Sequence, residues 1–359
     1  MRIAGNSLAI GLLVGALATV GASTASADPT AQLQWAASST ASEDGSRITG
    51  VEQVDDRNVR LEVYSAAMDR SFPVEVQLPA DTSQPRPSLY LLSGLDAGES
   101  VASWQAQTDV RQFMSDKNVN LIMPIGGKGS YYTDWINDDP VLGRNKWKTY
   151  LTEELPPLMD SVLGTNGVNA IAGISTSGTS VLALPIAKPG LYKAAAAYSG
   201  CAQTSDPMGS YFVRTSVGMA GGNPHNMWGP TGSPEWVAND PYLHADQLRG
   251  LELYFSSGTG EPGEYDTIDG RKAQLGDGRT QIDGKTNQLG IGGLVGQLLV
   301  GGAIENATAY CTRNMQQKLE SLGIPATFHY TPGTHSWGYW QDEFKESWPV
   351  LARGMGLSE

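Results

Sequence analysis

Cysteine, histidine and positive charge are all scarce in this chain of 359 residues. Two cysteines are too few for a disulfide-stapled scaffold, and with four histidines at no ligand spacing they outline no metal site, so neither a metal nor a cofactor is expected. Lys and Arg number 24 against 37 Asp and Glu, a formal net charge of -13. That balance argues against nucleic acid, whose phosphates are met by clustered cations. No segment reaches the roughly 20 apolar residues of a membrane-spanning helix. A Pro- or Ser-rich linker is also missing, so residues 28–359 are expected to form one large domain, and a monomer is the expected state.

The N-terminal 27 residues have their own character. Arg2 precedes an apolar stretch from Leu8 to Val20, and Ala25-Ser26-Ala27 follows, the pattern of a secretory signal peptide cut after Ala27. Export to the cell envelope is the expectation. In an exported protein the isolated pair Cys201 and Cys311 reads as a disulfide. Closing a loop of about a hundred residues, it would be worth ~4 to 5 kcal/mol in the chain-entropy picture.

Strand-like runs at 61–64, 72–78, 88–92, 121–125, 168–172, 194–198, 251–255 and 326–330 alternate with helical patterns at 104–115, 147–163, 179–187 and 306–322. Such alternation builds a mostly parallel sheet flanked by helices. Within it, Gly173-Ile174-Ser175-Thr176-Ser177-Gly178 follows an apolar strand and opens a helix. Small residues there permit the strained turn that presents a nucleophilic serine, which makes the expected fold an α/β-hydrolase. Ser177 stands where such motifs usually carry a second glycine. Residues 258–302, rich in Gly, Asp and Gln, are long for a connection and read as a lid-like insertion.

A serine needs a base, and the base needs an orienting acid. Of the histidines, His335 lies in a loop at the C-terminal end of the last strand, where sites of this fold gather. His329 falls inside that strand, and His225 and His244 lie in a polar connection. For the acid, Glu261, Glu264 and Asp266 follow the strand at 251–255, while Glu305 begins the helix before the last strand. A carboxylate at a helix start is also an ordinary cap, so spacing leaves the four open.

Six blocks in order, Leu91-Leu92-Ser93-Gly94-Leu95, Met123-Pro124-Ile125-Gly126-Gly127, Ser130-Tyr131-Tyr132-Thr133-Asp134-Trp135, Gly173-Ile174-Ser175, Met227-Trp228-Gly229-Pro230 and Gly333-Thr334-His335-Ser336-Trp337, closely resemble the mycolyltransferases, the mycobacterial antigen 85 proteins and their corynebacterial relatives. The resemblance runs from about Leu61 to Trp340. It implies a secreted serine acyltransferase that moves a mycoloyl or corynomycoloyl group from trehalose monomycolate to trehalose, arabinogalactan or another envelope hydroxyl. By matching positions it places the nucleophile at Ser175, the base at His335 and the acid at Glu305. The oxyanion donors fall on the backbone N–H groups of Leu95 and Thr176, where loss of one donor typically costs ~3 kcal/mol. Ser93, Asp96, Trp104, Ser336 and Trp337 are the implied substrate contacts. Asp96 departs from the mycobacterial pattern, which has an arginine there. A carboxylesterase and a non-catalytic surface-binding protein are the alternatives.

Overall fold

The computed structural model describes residues 41–275 and 291–358. The signal segment, and residues 276–290 of the expected lid, lie outside them.

Nine strands form one sheet: β1 Arg47–Gln53, β2 Asn58–Ser65, β3 Arg70–Gln77, β4 Ser88–Leu92, β5 Asn120–Pro124, β6 Asn169–Ile174, β7 Tyr192–Tyr198, β8 Glu252–Gly258 and β9 Thr327–Thr331. Their spatial order is β1-β2-β3-β5-β4-β6-β7-β8-β9. The first three and β5 pair antiparallel, and every pairing from β5 to β9 through β4 is parallel. The main helices are α1 Leu155–Leu163, α2 Thr176–Ala187, α3 Pro207–Met219, α4 Ile268–Leu275, α5 Ile291–Gly296, α6 Gly302–Leu322 and α7 Trp337–Gly354. A π-helical turn, Gln297–Gly301, joins α5 to α6. This is an α/β-hydrolase sheet with helices on both faces.

The central strands are buried on both sides, and their alternating side chains feed two separate cores. Ile171, Ala195 and Ala197 face one that includes Leu182, Phe255, Met315 and Leu319. Ala170, Ala172, Ala194, Ala196 and Tyr198 face the other, with Trp104, Trp337, Phe344 and Leu351. The alanine run on β7 lets α7 sit close: a Cβ on Gly354 would lie 2.5 Å from the Cβ of Ala194.

Local chemistry redraws several expected elements. The pattern at 104–115 splits into Trp104–Gln107 and Val110–Phe113. Thr108 breaks it, being extended while its hydroxyl donates to Trp104 O at 2.6 Å and accepts from Val110 N at 3.2 Å. A polar side chain that bonds nearby backbone competes with the helix in this way. The sequence reading also missed β1, α3 and α7. For α7 a signal existed, because Trp337, Trp340, Phe344, Ser347 and Leu351 recur at helical spacing and all are buried.

Candidate active site

Ser175 stands between β6 and α2 with φ 55° and ψ -121°, a left-handed conformation rare for a residue with a side chain. The turn is enforced by close packing. A Cβ on Gly173 would meet Ser177 Oγ at 2.5 Å, and one on Gly178 would meet Gly200 Cα and Tyr198 O at 3.0 Å. Ser177 is fully buried, and its hydroxyl donates to Leu92 O and Ile174 O, which ties the elbow to two strands. The serine at the second glycine position is therefore a structural clasp.

His335 lies in the loop between β9 and α7, with its Nε2 2.8 Å from Ser175 Oγ and its Nδ1 2.5 Å from Glu305 Oε1. The ring packs edge-on against Trp340, centroids 4.7 Å apart. Glu305, on the first turn of α6, is 1% exposed. Its other oxygen, Oε2, accepts from Gly258 N at 2.7 Å, Ser257 Oγ at 3.0 Å and Thr308 Oγ1 at 3.2 Å. Four donors thus fix a buried carboxylate, which would be costly without them.

The other candidate acids are elsewhere. Asp266 is buried and accepts from Thr334 Oγ1 at 2.5 Å, Tyr339 Oη at 2.7 Å, Gln297 Nε2 at 2.6 Å and Gly263 N at 3.0 Å. It clasps the His335 loop to α7 and to the turn after α5, and it does not touch the histidine. No hydrogen bond joins Glu261 or Glu264 to His335. His329 instead pairs with Glu343 at 2.9 Å, His225 is exposed, and His244 bonds Val237 O.

Ser175 and His335 open into a cavity of about 620 Å³. Gly94, Leu95, Asp96 and Ala102 form one wall, Ser336 and Trp337 another, and Arg271 with residues from Gly292 to Ile304 the third. The loop after β4 approaches the serine so closely that a Cβ on Gly94 would lie 3.3 Å from Ser175 Cβ. Leu95 is one of the residues lining the cavity, and Thr176 N–H is the first of α2, where unpaired donors and the helix dipole favour negative charge.

Two implied contacts are corrected. Trp104 is 1% exposed, donates from Nε1 to Leu92 O at 3.0 Å and stacks edge-on beneath Trp337, so it supports the wall without lining it. Ser93 is likewise buried beside the loop and outside the cavity lining. Asp96 lines the cavity and accepts from Ser100 N at 2.8 Å. Sequence reasoning missed Arg271, Trp340 and the clasp at Asp266; only Trp340, spaced three residues after Trp337, left a legible pattern.

The disulfide is present, with Cys201 and Cys311 sulfurs 2.07 Å apart and their Cα atoms 5.0 Å apart. It ties the loop after β7, beside the elbow, to α6 beyond Glu305.

Residues 65–350 match a family model named Esterase, described as "Putative esterase". The chain is 32% identical over 309 residues to the diacylglycerol acyltransferase/mycolyltransferase Ag85B of Mycobacterium avium, covering 83% of each. It is 29% identical over 313 residues to the corresponding Ag85A of Mycobacterium leprae, again 83% of each. Among solved structures, Mycobacterium tuberculosis MPT51 superposes with a TM-score of 0.64 at 22% identity, covering 86% of this chain and 99% of that one. An S-formylglutathione hydrolase from Agrobacterium tumefaciens gives 0.59 at 14% identity, with 86% and 99% covered. These two structural likenesses speak for the fold.

Proposed function

The chain belongs to the esterase family that includes the antigen 85 mycolyltransferases, and from that premise we propose that it is a secreted serine acyltransferase that moves a mycoloyl-type acyl group between sugar hydroxyls. The observation that carries the reading is the continuous relay from Glu305 through His335 to Ser175, at 2.5 and 2.8 Å, opening into a cavity.

In this mechanism Glu305 accepts from His335 Nδ1–H and so holds Nε2 as the acceptor of the Ser175 proton. Ser175 Oγ attacks the ester carbonyl of a trehalose monomycolate, and the carbonyl electrons move onto oxygen. The N–H groups of Leu95 and Thr176 receive that oxyanion. As the tetrahedral adduct collapses, His335 gives its proton to the departing trehalose oxygen, which leaves the acyl group on Ser175. An incoming sugar hydroxyl then passes its proton to His335 and attacks the acyl carbon, and as that second adduct collapses the bond to Ser175 Oγ breaks and His335 returns the proton to the serine oxygen.

Transfer competes with hydrolysis, so water must be kept from the acyl-enzyme. The segment 291–301, which walls the cavity with glycine backbone, Gln297 and Val300, is the covering part of the 258–302 insertion in this reading. Asp96, Ser336 and Trp337 contact the sugar or the acyl chain. Export is supported by the disulfide and by the N-terminal pattern, and trehalose mycolates are the substrates the family points to. Among the described residues no helix is long and apolar enough to cross a membrane.

Product analysis by mass spectrometry after incubation with trehalose monomycolate tests the proposal. Trehalose dimycolate formed by the parent and not by Ser175→Ala supports it. Free mycolic acid without the diester makes the protein a hydrolase, and no turnover with either protein contradicts the enzymatic reading.

A further inference from the structure

From Ile291 to Ile304 the chain carries no charged residue, and Gln297 is its only polar side chain. This stretch is helical and has two different faces. Gly296, Gln297, Val300, Gly301 and Ile304 line the cavity that holds Ser175. On the outside, Ile291, Val295 and Leu299 repeat every fourth residue and are 69%, 47% and 70% exposed, with Val300 63% exposed at the boundary of the two faces. Single exposed aliphatics are ordinary, but a row of them in helical register is an apolar stripe left in water. A helix that is apolar on every side belongs in a core or against lipid. At about 1.5 Å per residue, Ile291 to Gly301 is too short for a hydrocarbon layer of ~30 Å, so it would lie along a lipid surface.

Two features select the occupant. Val300 lines the cavity and is also exposed, so the stripe is continuous with the path to the nucleophile. Across the mouth, Ala102 lines the cavity and its neighbour Val101 is 42% exposed, which extends the apolar rim. The stripe also lacks any lysine or arginine, and the whole chain is acidic, so anionic headgroups would not attract it.

We propose that Ile291, Val295 and Leu299 form a docking surface for uncharged glycolipid, which seats the cavity mouth on a lipid surface so that an acyl chain passes to Ser175 without crossing water. The inference rests on the acyltransferase reading for its lipid donor. Binding is driven by apolar area, and is therefore reversible and insensitive to salt.

The test is flotation of the Ser175→Ala protein with neutral phosphatidylcholine vesicles containing a trehalose glycolipid, compared with the same protein carrying Ile291→Ser, Val295→Ser and Leu299→Ser. The triple change is expected to lower vesicle partitioning by about tenfold or more, and 0.5 M salt is expected to leave the parent's partitioning unchanged. With Ser175 restored, the triple variant should keep its melting temperature and its rate of labelling by a small soluble serine-directed phosphonate, because the three side chains lie outside the cavity. Failure of the parent to float, equal flotation of the triple variant, a requirement for anionic lipid, or a dimer in solution that the triple change abolishes would each overturn the proposal. Phosphonate labelling without flotation would sink the docking surface alone, whereas flotation without labelling would sink the acyltransferase reading and leave the surface standing.

Discussion

Glu305 holds His335 with one oxygen while its other oxygen is saturated by Gly258 N, Ser257 and Thr308. Glu305→Gln keeps the volume but presents an amide to His335 and to donors that need an acceptor. Rates of acyl transfer are expected to fall by about 10³ to 10⁴, read as kcat on a soluble ester, with the protein still folded by circular dichroism. A loss below tenfold would remove Glu305 from the relay. Asp266 acts one step away, as a positioning residue through Thr334. Asp266→Asn is expected to lower kcat by roughly ten- to a hundredfold with KM for a small soluble ester nearly unchanged; a change in KM alone would place Asp266 in substrate binding. The serine and histidine were legible because the elbow pattern and the loop after the last strand are local. The acid was not legible from spacing, since four carboxylates stood open; the family resemblance, a non-local pattern, named Glu305, which is the carboxylate hydrogen-bonded to the imidazole.

At the scale of elements, the relay depends on three separate pieces: the β6–α2 elbow, the start of α6 and the loop before α7. The Cys201–Cys311 bridge joins the first two through β7, over a sequence separation of 110. Cys201→Ser with Cys311→Ser is expected to cost about 4 to 5 kcal/mol, seen as a lower midpoint in urea, while phosphonate labelling in the cold persists. An unchanged midpoint would show that the bridge adds nothing to the packing of α6. Strands were readable because burial on both faces makes them short continuous apolar runs. The break at Thr108 and the π turn before α6 were not, because both depend on how the helix meets its neighbours. The Gly-rich insertion was read as a lid, and its residues 291–301 are helical and run into the helix that carries Glu305.

For the molecule as a whole, the last parallel strands are locked to the C-terminal helix by a polar cluster apart from the catalytic relay. Burial holds the Glu343 carboxyl above its ordinary range, although hydrogen bonds from Tyr254 and the neighbouring His329 pull it back. Between the ordinary value of 4.5 and that raised value, the folded chain keeps a proton that the unfolded chain has released. The stabilising contribution is thus complete below 4.5 and is lost as pH rises through the folded value. Melting curves of the parent minus those of Glu343→Gln should show stability falling with rising pH across this window, and parallel curves would contradict it.

The central claim is that Ser175 carries the acyl group. Intact-protein mass spectrometry after brief exposure to trehalose monomycolate, followed by peptide mapping and a trehalose chase, tests it most directly. The account predicts one acyl adduct on the peptide containing Ser175, absent from Ser175→Ala and discharged faster by trehalose than by buffer. An adduct on another residue, or discharge that trehalose does not accelerate, would contradict it.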